Sequence, residues 1–454
     1  MSALAERLRG IVRPAAASGG LPPGTFTSGA SGPEEGDSQT TSPGARPTSD
    51  DAGSAFRRKP ADPADVLDGE WRELRGQRFL VVDRKYLPGH RHGRVSVADT
   101  LPPDDAWWPR FPLLDNNRTT ATGSGRMLFV DLETTGLAGG AGTYAFLVGC
   151  AWYEAGCLRV RQFFLANFGA ERVLLEAVAA TADICGAVVT YNGKSFDLPL
   201  IDTRFQLHRL ETPFAGMPHV DMLHPARRLW RRDEADAREG GARLSTLEQN
   251  VCGHVREGDV PGFEIPSRYF QFVRTGDARG MEAVLEHNRL DLVSLAMLTA
   301  RASQLLEDGP AAAHTAREAL GMGRLYERAG MSDDARAAYA RSAECGDADS
   351  ATRAEAWRAY AVLSRRERRF DEAATAWRRI LNLRRCPEAV LREASEALAV
   401  HHEHRVRDLN AARTFALQLL TLQSTRSRHE ATQHRLARLD RKLSDASAVT
   451  AALF

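Results

Sequence analysis

Two carboxylates stand two positions apart in the stretch MLFVDLETTGL, residues 127–137. Its leading apolar residues predict a buried strand, and Asp131 and Glu133 follow at the end of that run. Because strand side chains alternate, both carboxylates project to one side while Leu132 points into the packing. Paired carboxylates repel each other unless a cation lies between them, and Mg²⁺ and Mn²⁺ prefer oxygen ligands. Taken alone, the pair is better explained as an acidic strand end that faces water, and only further carboxylates downstream would favour a metal site.

Two further carboxylates stand on predicted helices downstream. Asp197 ends the stretch YNGKSFD, where a buried strand leads through a turn into a helix, and alone it reads as an ordinary N-cap. Asp291 follows His287 by four residues in EHNRLDLVSL, so both side chains fall on one face of an apolar helix. A salt bridge to a nearby arginine would also explain Asp291. All four carboxylates together predict a two-metal site for in-line attack of water on phosphate, with His287 as general base.

The motifs FVDLETTG, YNGKSFD and HNRLD, in that order, resemble the three exonuclease motifs of the DEDD superfamily within the ribonuclease H-like fold. More closely, residues 66–305 resemble the bacterial ribonuclease H-like (YprB-type) family, some members of which carry tetratricopeptide repeats. The resemblance implies 3′→5′ exonuclease chemistry with two Mg²⁺ or Mn²⁺ ions. It implies metal binding by Asp131, Glu133 and Asp291, with Asp197 holding a water of the second ion. It also implies substrate contacts from Thr134, Thr135, Gly136, Leu137, Asn192 and Phe196.

One spacing departs from that resemblance. Three residues separate His287 from Asp291, whereas the histidine branch of the superfamily has four and the tyrosine branch three. Asp221, in HVDMLHPARRLW, is a further candidate near the site, but we expect it to cap the following helix.

Composition limits the remaining classes of protein. The 60 Lys and Arg residues balance 59 Asp and Glu residues, so no global field indicates a nucleic-acid or membrane partner. Six cysteines without a CxxC pair argue against a zinc site or a disulfide framework and favour a reducing compartment. No apolar run approaches the ~18 residues of a transmembrane helix, and we expect a cytoplasmic protein.

Hydrophobic patterns place the motifs in one α/β domain, residues 66–308. Three closely spaced strands, beginning near residues 127, 144 and 158, predict an antiparallel meander. Helices then alternate with short strands, which indicates a mixed sheet with flanking helices, the ribonuclease H-like arrangement. The predicted helices are 171–182, 197–207, 222–232, 246–252 and 280–306. Residues 1–65 hold few large apolar side chains and are predicted to be disordered, apart from a short amphipathic helix at 3–12.

A basic and aromatic stretch follows the strand predicted at 78–86. It contains His90, Arg91, His92 and Arg94, and then Trp107 and Trp108. This mixture fits either contact with a nucleic-acid strand or a loop-rich extension packed on the main domain. As metal ligands, His90 and His92 lack a third ligand at a suitable spacing.

Residues 309–454 predict an all-α domain with an internal repeat of 38 residues. Small residues and aromatics recur in the copies, as Gly323, Tyr326, Ala335 and Tyr339, then Trp357, Ala361, Ala373 and Trp377, then Ala399, Ala411 and Phe415. The pattern resembles tetratricopeptide repeats, which implies stacked helical hairpins and a concave surface for a protein partner. Arginine runs at 365–369 and 378–385 indicate solvated helix faces or a second nucleic-acid track.

The leading prediction is a hydrolase, a metal-dependent 3′→5′ exonuclease acting on DNA or RNA. A structure-specific endonuclease on the same fold is one alternative. A scaffold that binds nucleic acid without cutting it, and recruits a protein through its repeats, is another.

Overall fold

The computed structural model describes residues 60–102, 110–115, 125–136, 142–230, 242–422 and 426–452. The predicted amphipathic helix, nearly all of the predicted disordered segment, Trp107, Trp108 and Leu137 lie outside these residues. A short helix at Pro63–Leu67 begins just before the predicted domain boundary at residue 66. Among the described residues, no helix combines the length and apolar character needed to cross a membrane.

A seven-stranded mixed sheet organises the first half of the described chain. Its strands are β1 (Glu70–Leu74), β2 (Gln77–Tyr86), β5 (Arg126–Thr134), β6 (Ala145–Glu154), β7 (Cys157–Phe164), β8 (Cys185–Thr190) and β9 (His219–Asp221). Their order across the sheet is β1-β2-β7-β6-β5-β8-β9. The predicted antiparallel meander is formed by β5, β6 and β7, while β8 joins β5, and β9 joins β8, in parallel. Strands β3 (Arg91–His92) and β4 (Val95–Ser96) form a separate hairpin.

Helices cover both faces of this sheet, which explains why β5 and β6 are apolar along most of their length. They are α1 (Pro63–Leu67), α2 (Glu171–Ala182), α3 (Asp197–Leu207), α4 (Leu223–Leu229), α5 (Leu244–Leu247, continued by a π-helical turn at Glu248–Cys252), α6 (Ile265–Thr275) and α7 (Arg279–Asp308). The predicted mixed sheet with flanking helices is confirmed, and α2 and α3 begin and end where the patterns place them. Strand β1 and helix α6 were not predicted.

Gly149, on β6, allows α7 to cross the sheet at close range. It lies opposite Asp131 in the β5–β6 register. A β-carbon at this position would lie 2.3 Å from Asn288 Oδ1 and 2.7 Å from Leu292 Cδ1, both on α7. The absence of a side chain at Gly149 therefore sets how near the third motif comes to the first.

Gly149→Ala is expected to lower the free energy of unfolding by about 1–3 kcal/mol, because the added methyl group forces the well-packed helix outward. Urea denaturation followed by circular dichroism measures this change. Gly280→Ala is the matched control, since Gly280 lies in α7 with no neighbour near its β-carbon position. That control should be neutral or slightly stabilising. Equal stabilities for the two variants would contradict the close approach.

With a π-helical turn at His402–Val406, the described residues from 316 onwards form seven α-helices. They are α8 (Ala316–Ala329), α9 (Ser332–Glu344), α10 (Ser350–Arg366), α11 (Phe370–Leu381), α12 (Glu388–His401), α13 (Leu409–Thr421) and α14 (Arg426–Ala452). Consecutive helices pack as hairpins, and a β-carbon on Gly323 would lie 2.4 Å from the Tyr339 ring, so this glycine is needed at the α8–α9 crossing. The hairpins agree with an all-α repeat region, while its tetratricopeptide character stays a prediction.

Several arginines of the predicted basic runs form ion pairs between neighbouring hairpins. Arg369 Nη2 lies 3.2 Å from Asp333 Oδ1, and Arg379 Nη1 lies 2.8 Å from Glu344 Oε1. Arg366 Nη2 lies 2.5 Å from Glu327 Oε1. These three side chains are therefore engaged within the protein, which favours the interpretation of the runs as helix faces over a second nucleic-acid track.

Candidate active site

Three elements bring the four predicted carboxylates to one place. Asp131 and Glu133 lie on β5, Asp197 is the first residue of α3, and Asp291 lies on α7. Strand β5 extends to Thr134 rather than ending at Val130, so the first two carboxylates sit within the strand. Their side chains share one side of the sheet, as the alternation predicts, and Leu132 is buried on the other.

Burial raises the pKa values of all four carboxylates, and the charges of others among the four add to it for three of them. Burial raises the pKa of Asp131 well above its ordinary value, and the charges of Asp291, Glu133 and Asp197 raise it further. Burial together with Asp291 and Asp197 does the same to the pKa of Glu133. Burial, followed by the charge of Asp221, raises the pKa of Asp197 to about 7. The pKa of Asp291 is also raised by burial, although Arg256 opposes this.

This donor set fits divalent cations. Carboxylate oxygens are the ligands that Mg²⁺ and Mn²⁺ prefer, and a cation between them would offset the repulsion that raises their pKa values. Among the described residues, no lysine or arginine forms an ion pair with Asp131, Glu133 or Asp197. A metal ion would therefore satisfy charges that the described protein groups leave unneutralised.

Asn288 holds Asp131 in place from α7. Its Nδ2 donates to Asp131 Oδ2 at 2.7 Å and to the backbone oxygen of Asp131 at 3.2 Å. The orientation of the amide is fixed because Gln162 Nε2 donates to Asn288 Oδ1 at 2.8 Å. Asn288 is fully buried. Asn288 is not among the site residues predicted from the sequence, although it stands inside HNRLD next to His287.

Arg256 links Asp291 to a buried glutamate. Its Nη2 donates to Asp291 Oδ1 at 2.5 Å, its Nε to Glu248 Oε2 at 2.5 Å and its Nη1 to Asp259 Oδ2 at 3.1 Å. The arginine side chain is only 6% exposed. The salt bridge that the sequence analysis offered for Asp291 is thus present, alongside the position of Asp291 in the carboxylate cluster.

Glu248 anchors this arrangement from the interior. Its Oε1 lies 2.7 Å from His92 Nε2 and accepts a hydrogen bond from Ser294 Oγ at 2.6 Å. Burial raises the pKa of Glu248, but the bonds from His92, Ser294 and Arg256 outweigh it and hold the pKa below its ordinary value. Glu248 is therefore a carboxylate that offsets the charge of Arg256. His92 comes from the β3–β4 hairpin, so this part of the N-terminal stretch packs on the main domain.

His92, Glu248 and His254 also have potential ligand atoms close together. The two imidazole rings stack with centroids 4.1 Å apart, and both oxygens of Glu248 already take part in the bonds described above. We therefore assign this group to the hydrogen-bond network and not to a metal site.

His287 is held by a carboxylate that the sequence analysis did not single out. His287 Nδ1 lies 2.6 Å from Asp259 Oδ1, and His287 Nε2 lies 3.6 Å from Asp291 Oδ2. Burial raises the pKa of Asp259, but His287 and Arg256 outweigh it and lower that pKa overall. The imidazole thus has a fixed orientation beside the carboxylates, with Nε2 on the side of Asp291.

Asp221 both caps a helix and shapes the turn of the second motif. Its Oδ1 accepts from Leu223 N at 3.1 Å, at the start of α4, which agrees with the predicted cap. The same oxygen accepts from Asn192 N at 2.7 Å, and Oδ2 accepts from Lys194 N at 3.1 Å. The charge of Asp221 also raises the pKa of Asp197, so Asp221 contributes to the electrostatic potential at the site.

A cavity of about 630 Å³ opens beside the carboxylates, between β5, the start of α3, the start of α6 and His287. Four of the predicted substrate contacts line it, namely Thr134, Gly136, Asn192 and Phe196. Thr135 faces elsewhere, because its Oγ1 accepts from Tyr144 N at 2.9 Å. Leu137, the last of the set, lies outside the described residues. The cavity walls combine apolar side chains with Glu133 and Asp197.

Comparison with known proteins gives three results. Residues 128–303 match a family model described as RNase H superfamily. The protein called "Uncharacterized protein YprB" from Bacillus subtilis (strain 168) is 31% identical over 372 residues, which is 80% of this chain and 86% of that protein. The family B DNA polymerase of the hyperthermophilic archaeon Pyrobaculum calidifontis aligns with a TM-score of 0.30 at 12% identity, over 53% of this chain and 29% of the polymerase. That structural likeness is too slight to support a comparison of function.

Proposed function

The chain belongs to the YprB family and carries an RNase H superfamily domain, and on that premise we propose that it is a metal-dependent 3′→5′ exonuclease. The ribonuclease H-like fold supports a nuclease, a hydrolase of nucleic acids. The observation that carries the proposal is the cluster of four carboxylates beside the cavity, whose pKa values are raised by burial and, for Asp131, Glu133 and Asp197, also by other carboxylates of the cluster. Such a cluster is costly to bury unless it binds cations.

Divalent metals are general among ribonuclease H-like nucleases. Here Asp131, Glu133 and Asp291 would hold them directly, and Asp197 would hold a water of the second ion. Two bound Mg²⁺ or Mn²⁺ ions would lower the pKa of the attacking water and offset the charge that develops on the leaving oxygen.

The other side chains of the site position these groups. Asn288 fixes the carboxylate of Asp131, and Arg256 fixes that of Asp291. Asp259 orients His287 through Nδ1, so a neutral ring that donates from Nδ1 leaves Nε2 as an acceptor. His287 would then take the proton of the attacking water at Nε2, as a general base.

The cavity has room for the terminal nucleotide of a strand, and we propose that cleavage occurs at a strand end. Its volume lies in the range of pockets that enclose one small ligand. Thr134, Gly136, Asn192 and Phe196 would contact the terminal nucleotide, and an internal cut would require both flanks of the strand to leave the cavity. DNA and RNA fit this chemistry equally, because the reacting phosphodiester is the same.

The proposal is tested with 3′- and 5′-labelled single strands, hairpins and duplexes of DNA and RNA, in Mg²⁺ or Mn²⁺. We expect stepwise shortening from the 3′ end by the wild type and no cleavage when EDTA is present. Internal products from the first time point would indicate the endonuclease alternative. Binding without cleavage of any substrate would indicate the scaffold alternative.

Two parts of the proposal concern the rest of the molecule. The helical hairpins are proposed to bind a protein partner, as stacked helical repeats commonly do. A cytoplasmic location is proposed from the free cysteines among the described residues and from the reducing compartment that they favour.

A further inference from the structure

Three phenylalanines are exposed among the described residues; one lines the cavity, and two lie on the segment that forms its wall at the start of α6. Phe196, 59% exposed, lines it directly from the start of α3. Phe263 is 79% exposed and Phe270 is 48% exposed. Phe263 immediately follows Gly262, which lines the cavity, and Phe270 lies on α6. Large aromatic side chains are normally buried, so their concentration at one rim requires an explanation.

Phe263 and Phe270 lie on the same side of one helical segment. The 3₁₀ turn Gly262–Glu264 leads directly into α6, and the two residues are seven positions apart, which is close to two helical turns. With a rise of 1.5 Å per residue, the two positions are about 10 Å apart along the axis. Pro266, which lies between them on this side, is a wall of the cavity. We call Phe263, Pro266 and Phe270 the aromatic strip.

The aromatic strip does not contribute to the core. Helix α6 already buries the opposite side through Ile265, Tyr269 and Phe272, at the spacing of an amphipathic helix. Arginines accompany the strip on the same helix. Arg268 pairs with Glu264 at 3.1 Å, whereas Arg274 is exposed and forms no ion pair with any described residue. The surface beside the cavity therefore offers aromatic faces together with a cation.

We propose that the aromatic strip stacks unpaired bases of the strand whose 3′ end lies in the cavity. This inference rests on the proposed nuclease function and adds the place where the strand continues outside the site. Base–aromatic stacking accepts every base, and nearby arginines bind the phosphates. A spacing of about 10 Å corresponds to about three stacked bases. A peptide is disfavoured because the strip is narrow and continuous with a cavity whose polar wall is the carboxylate cluster.

The strip selects for single strands or frayed ends, because the bases of an intact duplex have no free faces for stacking. Fluorescent 2-aminopurine placed two, three or four nucleotides from the 3′ end of a DNA oligonucleotide reports this contact, since stacking quenches its emission. Binding is measured with the full chain and Ca²⁺ in place of Mg²⁺ to suppress cleavage. An unlabelled RNA of the same sequence serves as competitor.

Phe263→Ala and Phe270→Ala are each expected to weaken binding of the single strand about tenfold and to remove the quenching at one or two label positions. Phe263→Trp should restore both, because it restores an aromatic face, and Phe263→Leu should not. Ile184→Ala is the matched control, since Ile184 is 50% exposed and precedes β8 at the opposite end of that strand from the second motif.

Several results would overturn the inference. Wild-type affinity for the single strand in both alanine variants would overturn it. Wild-type affinity in Phe263→Leu would also overturn it, because that result would indicate an apolar contact with a protein instead. Equal affinity for a blunt duplex would also do so. Failure of the nuclease proposal can be distinguished from failure of the stacking inference, because the wild type would then cleave no substrate of the labelled panel.

Discussion

Asp131→Asn is expected to abolish cleavage and, in the metal-free protein, to increase the free energy of unfolding. The loss of activity should be about a thousandfold or more, since bound metals supply several kcal/mol of transition-state stabilisation and each 1.36 kcal/mol is a factor of ten. The gain in stability should be about 1–3 kcal/mol at pH 8, because one of four mutually repelling carboxylates is removed. Opposite changes in activity and stability are typical of a group that serves function at a cost to the fold.

The stability gain should depend on pH in a defined direction. In the folded protein the pKa of Asp131 is well above its value in the unfolded chain, so the folded state binds more protons. The contribution of this raised pKa to the free energy of unfolding is fully present below the pKa of Asp131 in the unfolded chain, about 4. It is lost as the pH rises through the pKa of Asp131 in the folded protein. Asp197, whose folded pKa is about 7, follows the same rule. The difference between wild type and Asp131→Asn should therefore be small at pH 5 and largest at pH 8.

Urea denaturation in EDTA at pH 5, 6, 7 and 8 measures this difference. Repeating it with Mn²⁺ should raise the stability of the wild type and affect Asp131→Asn much less, because bound metal stabilises only a folded state that holds its ligands. Asp445→Asn, at an exposed position on α14, is the matched control and should stay within about 0.5 kcal/mol of wild type. Equal stabilities of wild type and Asp131→Asn at every pH would argue against a crowded carboxylate cluster.

Arg256→Met is expected to cost about 3–5 kcal/mol of folding stability and most of the activity. The substitution leaves Glu248 buried and charged without its guanidinium, and removing one partner of a buried ion pair is the costly case. It also releases Asp291 from its only arginine among the described residues. Arg256→Lys should recover part of the loss, since one ammonium group cannot reproduce three directed N–H contacts.

A second substitution separates the stability effect from the effect on the site. Adding Glu248→Gln to Arg256→Met removes the buried unpaired charge while keeping a side chain that reaches His92 and Ser294. The free energy of unfolding should then recover by about 1–3 kcal/mol, whereas activity should stay low because Asp291 still lacks its hydrogen bond from Arg256. Arg268→Met serves as the control, since its pair with Glu264 is half exposed and contributes about 0.5 kcal/mol or less. Recovery of activity in the double variant would contradict a positioning role for Arg256.

Local patterns in the sequence were enough to predict the four carboxylates and most of the strands and helices that carry them. The alternation at Asp131 and Glu133 and the apolar spacing around Asp291 are short-range signals, because they follow from strand and helix geometry. The bounds of α2 and α3 were predictable for the same reason. Helix α6 was missed although Pro266 near its start and Gly276 at its end are helix signals. Apolar spacing at Ile265, Tyr269 and Phe272 would have supported the assignment.

The tertiary structure alone decided which groups hold the carboxylates. His92 and Ser294 are 202 residues apart in the chain. Each nevertheless lies within hydrogen-bond distance of Glu248, and the two side chains also lie within hydrogen-bond distance of each other. Glu248 carried no motif, and only its burial beside Arg256 gives it a role. Periodicity determines which face of its own element a residue occupies, but the partner of a buried charge depends on which distant segments pack against it. The sequence by itself therefore determined the four carboxylates, and the packing of β5, α7 and the segment from 248 to 259 decided how they are positioned.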